Sequence, residues 1–96
     1  MGPVADVSTM PDAELDELLA RLSAEERVLS RRRTALHQRI DFVRAGGSAY
    51  TGAGAEQLAA LQDEERRVSA ERHALHGTLQ RVRAESERRI ADRRAG

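Results

Sequence analysis

Cysteine, lysine and tryptophan are absent from this 96-residue chain, and it has one tyrosine, one phenylalanine and two prolines. Without cysteine there is neither a disulfide framework nor a thiolate metal site. Aromatics at 2% and charged residues at 33% leave little material for a compact globular core, so extended helices are the expected solution. No apolar run is long enough for a signal peptide or a transmembrane helix, which predicts a cytoplasmic protein without membrane association. Nor is there a net field: sixteen acids balance sixteen bases, which disfavours general nucleic-acid binding and predicts no direct contact with DNA. All sixteen bases are arginine, a bias that a GC-rich genome produces by itself and that also supplies planar, bidentate donors.

What is present is heptad spacing. Residues 1–10 show no periodicity and read as a flexible N-terminal segment, in which Ser8 or Thr9 can cap the helix that follows. Pro11, Asp12 and Glu14 suit a first helical turn. Leu15, Leu22, Leu29, Leu36 and Val43 recur every seven residues, with Leu19 and Ile40 on the complementary seam row. Helix one is expected over about residues 11–45. Four glycines in the nine residues 46–54 predict a reversing loop, and helix two is expected over about 55–93. Its seam is Leu61, Val68, Leu75 and Val82, joined by Leu58 and Leu79, and its charged last turns are expected to fray. The expected fold is all-α: an antiparallel two-helix coiled-coil hairpin with a glycine-rich loop, each helix spanning roughly 50 Å. Leu18, Val28, Phe42 and Ile90 lie off the seam and are expected to face outward.

A polar pattern is written twice. Glu26, Ser30, Arg33 and His37 recur 39 residues later as Glu65, Ser69, Arg72 and His76. Packing preserves apolar positions in a duplicated helix, but it gives no reason to keep a carboxylate, a hydroxyl, a guanidinium and an imidazole in fixed order. With Asp41 closing the first copy and Gln80 the second, each set falls within an arc of about 80° at helical spacing. Each is therefore one continuous polar ribbon interrupting the seam. Antiparallel pairing sets Glu26 toward Gln80 and Asp41 toward Glu65, and two matching ribbons suit a ligand with its own twofold symmetry.

The residue types match guanine. A carboxylate accepts the N1 and N2 protons of its Watson–Crick edge, arginine donates twice to O6 and N7, and Ser and His suit ribose or phosphate. The motif's own charges sum to minus one, so a phosphate ligand requires more cation. Arg27, Arg44, Arg66 and Arg83, paired by the repeat, are the candidates.

The doubled spacing Glu-x3-Ser-x2-Arg on an antiparallel coiled coil resembles the cyclic di-GMP signature of the RsiG-type anti-sigma factors of actinobacteria. That signature continues x3-Gln-x3-Asp. Here His37 and His76 stand at the Gln position, and Asp41 and Gln80 at the Asp position. The resemblance covers about residues 12–92. It implies a hairpin holding a partly intercalated dimer of cyclic di-GMP, two molecules per chain, whose loaded form keeps a WhiG-like sigma factor from RNA polymerase. Two copies in one chain imply that a single hairpin completes the site.

Two other readings compete. A structural scaffold or oligomerisation hairpin would use Glu26 with Arg72, or Arg33 with Glu65, as a buried layer fixing register. Such a device needs one or two polar residues, fewer than repeat here. On the ligand reading the ribbons keep a gap open midway along the seam, because their charges oppose apolar closure. Catalysis is not expected. Thr34 and His73 stand where Glu-x-x-His would place a carboxylate, and no strand precedes the glycines as a phosphate loop requires.

Overall fold

The computed structural model describes residues 6–46 and 52–96. Two long helices, α1 (Asp12–Ala45) and α2 (Gly52–Ala95), take up nearly all of them, and the described residues contain no strand. The fold is the all-α two-helix hairpin that the heptad rows predict. No helix among the described residues is long and apolar enough to cross a membrane.

The element boundaries differ from expectation at three places. Residues 6–10 do not read as a loose lead. Val7–Thr9 form a 3-10 turn in which the Asp6 carboxylate accepts hydrogen bonds from the Ser8 amide and the Ser8 hydroxyl, and Thr9 Oγ1 donates to the Asp6 carbonyl. Ser8 and Thr9 are therefore engaged in their own turn and do not cap α1. The carbonyl of Pro11 accepts the first helical bond instead, from the Leu15 amide at 3.0 Å. Residues 1–5 lie outside the described residues, as does most of the expected loop, 47–51.

Helix α2 starts at Gly52, inside the stretch 46–54 assigned to the loop. Gly52 adopts φ +50°, a conformation L side chains rarely take, and Gly54 falls in the first turn, where backbone amides have no helical partner to lose. The glycines start the helix instead of excluding it. At its other end α2 reaches Ala95, past the expected fraying point, with Arg93 and Arg94 complementing the negative end of the helix.

The chain divides into two compact units, each holding a piece of both helices. In the first, Met1–Glu26 with Ala74–Gly96, the core is Leu15, Leu18, Leu22, Leu79 and Val82, with Val7, Met10, Leu19 and Leu75 packed against it. Leu18 was expected to face outward but is buried. The 3-10 turn brings Val7 and Met10 onto the cluster it joins, so the apolar surface there is wider than one heptad stripe.

In the second unit, Arg27–His73, the core is Leu36, Ile40, Val43, Leu58, Leu61 and Val68, with Leu29 against it. Fully burying a side chain of this kind contributes roughly 1.5–3 kcal/mol. Val28, Phe42 and Ile90 are exposed, as expected. The units differ in charge. The first holds ten carboxylates and seven arginines, net −3, and the second nine arginines and six carboxylates, net +3.

Candidate functional site

The repeated polar residues are concentrated in the second unit, which contains Ser30, Arg33, His37 and Asp41 on α1 and Glu65, Ser69 and Arg72 on α2. Helical spacing of three and four places each set on one face, beside the apolar row that holds the helices together. The helices run antiparallel here, since residue 30 meets 72, 33 meets 69 and 37 meets 65.

Arg33 Nε donates to Ser69 Oγ at 3.2 Å, and Arg72 Nε donates to Ser30 Oγ at 3.0 Å. The 39-residue repeat maps one of these bonds onto the other, so the duplication in sequence is a local twofold in space. Around Glu65 the arrangement becomes denser. Its Oε1 accepts from Ser69 Oγ at 2.7 Å, lies 3.1 Å from His37 Nε2 and accepts from Arg33 Nε at 3.4 Å. The Ser69 hydroxyl first, then the His37 ring and Arg33, hold the Glu65 carboxyl below its ordinary value and keep it an anion and acceptor.

These bonds correct one expectation. The ribbon charges do not hold the seam open; in the second unit they cross it and pair with one another, as the register reading anticipates for Arg33 and Glu65. They are nonetheless wet. The side chains of Arg33 and His37 are 41% and 48% exposed, and Arg33 engages only Nε among the described residues, leaving its terminal donor edge toward solvent.

Next to this pairing, His37, Asp41 and Glu65 line an open hollow of about 480 Å³ with Ile40, Arg44, Gln62 and Arg66. The volume is within the range of small-molecule sites. Asp41 does face the same space as Glu65, as antiparallel pairing predicted, and two of the four proposed phosphate partners, Arg44 and Arg66, are drawn into it. Arg66 also meets Asp63 at 3.4 Å. Gln62 was not anticipated from sequence, although it lies one turn before Glu65 on the same face. Arg27 and Arg83 are exposed and make no ion pair among the described residues.

The remaining ribbon residues, Glu26, His76 and Gln80, belong to the first unit. Glu26 is partly buried, while His76 and Gln80 are exposed and meet each other at 3.3 Å. No group of three His, Cys, Asp or Glu among the described residues is placed to hold a metal ion.

Sequence reasoning missed a second polar cluster, in the first unit. Arg89 donates to Glu85 Oε2 at 2.6 Å, to Asp12 Oδ1 at 2.8 Å and to the Val7 carbonyl at 3.0 Å. Arg88 adds a two-pronged contact with Glu85. Arg88, then Arg89, hold the Glu85 carboxyl down at about 2. The available signal was that Arg89 continues the seam row of Leu61, Val68, Leu75 and Val82 by one more heptad. This cluster fastens the N-terminal turn to α2.

Fold and site together define a small two-helix hairpin with a repeated polar face that solvent reaches. The chain belongs to the RsiG-like family, which it matches over residues 1–61, and this supports an RsiG-type anti-sigma factor, a regulatory and not a catalytic protein. The match takes in all of α1, hence the first polar copy from Glu26 to Asp41, and ends before Glu65. The second copy rests on the internal repeat. No match was found among curated proteins or among solved structures.

Proposed function

We propose that this chain is a cyclic di-GMP-dependent anti-sigma factor: the nucleotide, as two molecules per chain, binds the repeated polar face, and the loaded form sequesters a WhiG-like sigma factor in the cytoplasm. The observation that carries the reading is the reciprocal exchange of Arg33 with Ser69 and Arg72 with Ser30. Equivalent groups facing each other across a local twofold match a ligand whose two guanines are themselves equivalent. Arg33 and Arg72 address O6 and N7, Glu65 accepts the N1 and N2 protons, and the serines and His37 reach ribose or phosphate. Arg44 and Arg66 in the hollow, with exposed Arg27, supply the cation that the motif lacks, in a unit whose net charge is already +3. Glu26, His76, Gln80 and Arg83 join the reading through the repeat.

Magnitudes favour exchange of partners. A half-solvated arginine–serine hydrogen bond is worth about 1 kcal/mol or less, whereas a bidentate arginine–guanine contact is worth about 1–3 kcal/mol. The Arg33–Ser69 bond, with Arg33 41% exposed, is therefore cheap to exchange.

Mutual pairing also favours a second reading, a structural hairpin whose polar layer fixes register. Titration calorimetry separates the two. The regulatory reading expects two cyclic di-GMP molecules per chain, no binding by Arg33→Ala with Arg72→Ala, and unchanged helix content in that variant. Capture of a WhiG-like sigma factor should then require the nucleotide. Absence of heat from the unaltered chain, together with unfolding of the double variant, would establish the scaffold.

A further inference from the structure

Val28, Ala35 and Phe42 are seven residues apart on α1, all in the second unit and all exposed, Phe42 to 81% and Val28 to 53%. At 100° per residue they fall within about 40° of one another and about 150° around the helix from the Ser30, Arg33, His37 and Asp41 face. The polar face and this apolar stripe thus lie on nearly opposite sides of one helix. Arg31 borders the stripe on one side and Arg39 on the other, and neither forms an ion pair among the described residues. No carboxylate of α1 interrupts this face within the second unit.

Such a stripe, with an exposed phenylalanine at heptad spacing between solvent-facing arginines, has the pattern of a helix-docking surface. We propose that it docks an acidic amphipathic helix of a protein partner. The partner's apolar residues cover Val28, Ala35 and Phe42, and its carboxylates meet Arg31 and Arg39. Charge selects this occupant. A second copy would bring the same arginine-bordered face against itself, and a nucleic-acid backbone would leave the apolar stripe uncovered. From the proposed function the inference takes only that the chain acts by holding a protein, and it uses a face to which the nucleotide reading gives no role.

The test is fluorescence anisotropy on the full chain with a synthetic helical peptide carrying leucine at heptad spacing flanked by glutamates. Three comparisons accompany it: a scrambled peptide of equal composition, a duplex oligonucleotide, and sedimentation of the chain alone. The heptad peptide is expected to bind, and the scrambled one to bind about tenfold more weakly or worse. Phe42→Ala and Arg39→Glu should each weaken the heptad peptide about tenfold or more while leaving cyclic di-GMP titrations unchanged. Equal binding of the scrambled peptide, insensitivity to both substitutions, preferential binding of the oligonucleotide, or self-association removed by Phe42→Ala would each overturn the proposal. Peptide binding without nucleotide binding would uphold this surface and sink the nucleotide reading. Nucleotide binding without peptide binding would do the reverse.

Discussion

Both units of this molecule hold an arginine–carboxylate cluster, and the two differ in how much water reaches them. In the first unit Arg89 and Glu85 have side chains 14% and 8% exposed, with the guanidinium saturated by Glu85, Asp12 and a backbone carbonyl. In the second, Arg33 and His37 remain close to half exposed around Glu65, which is itself more exposed than Glu85, and the arginine's terminal donors find no protein partner among the described residues. The same chemistry is thus a fastener where it is desolvated and saturated, and keeps donors accessible to a ligand where it is wet and only partly used. Residue type does not separate these roles; the count of spare donors and the access of solvent do.

Several substitutions can break this contrast, beginning with the largest. Replacing Arg33 and Arg72 by alanine should lower affinity for cyclic di-GMP by at least about thirtyfold, two arginine–guanine contacts being lost, with circular dichroism unchanged. Next comes Leu79→Ala, at a side chain 1% exposed in the first unit, which should cost about 2–5 kcal/mol in denaturant unfolding. Because Leu79 packs only within the first cluster, hydrogen exchange should rise most at residues 12–26 and 74–95.

Glu85→Gln should lower Tm at neutral pH, since it removes the anion that satisfies Arg88 and Arg89. Its pH dependence is the sharper readout. The folded carboxyl, at about 2, is below its ordinary 4.5, so its stabilisation is complete above pH 4.5 and is lost as pH falls toward 2. Melting curves of the unaltered chain should show that loss, and the variant should lack that part of it. Smallest is Gly77→Ala. Nothing lies within 4 Å of an added Cβ at this helical position, so the change should stabilise by about 0.5–1 kcal/mol without affecting nucleotide titration.

The two helices were legible because heptad rows of leucine and valine state both the element and its buried face. The polar copies were legible because apolar packing alone does not keep a fixed polar order in a duplicated sequence. Less legible was whatever depended on parts meeting from distant positions. Leu18 looked outward until Val7 and Met10 came to widen its cluster, and Ser8 and Thr9 looked like caps until Asp6 engaged them. Glu85 and Arg89 looked like a solvated tail, because the Val7 carbonyl and Asp12 that complete their network are more than 70 residues away in sequence. The expectation that ribbon charges hold the helices apart failed for a related reason. The charges were weighed against an apolar seam, whereas Arg33 and Glu65 neutralise each other across it.

A crystal structure of the chain grown with cyclic di-GMP would be the most direct test. The account predicts that Arg33 and Arg72 leave Ser69 and Ser30 and lie on guanine edges, with Glu65 on the Watson–Crick face and the two halves matching. Finding both arginine–serine bonds intact, with no nucleotide between α1 and α2, would contradict it.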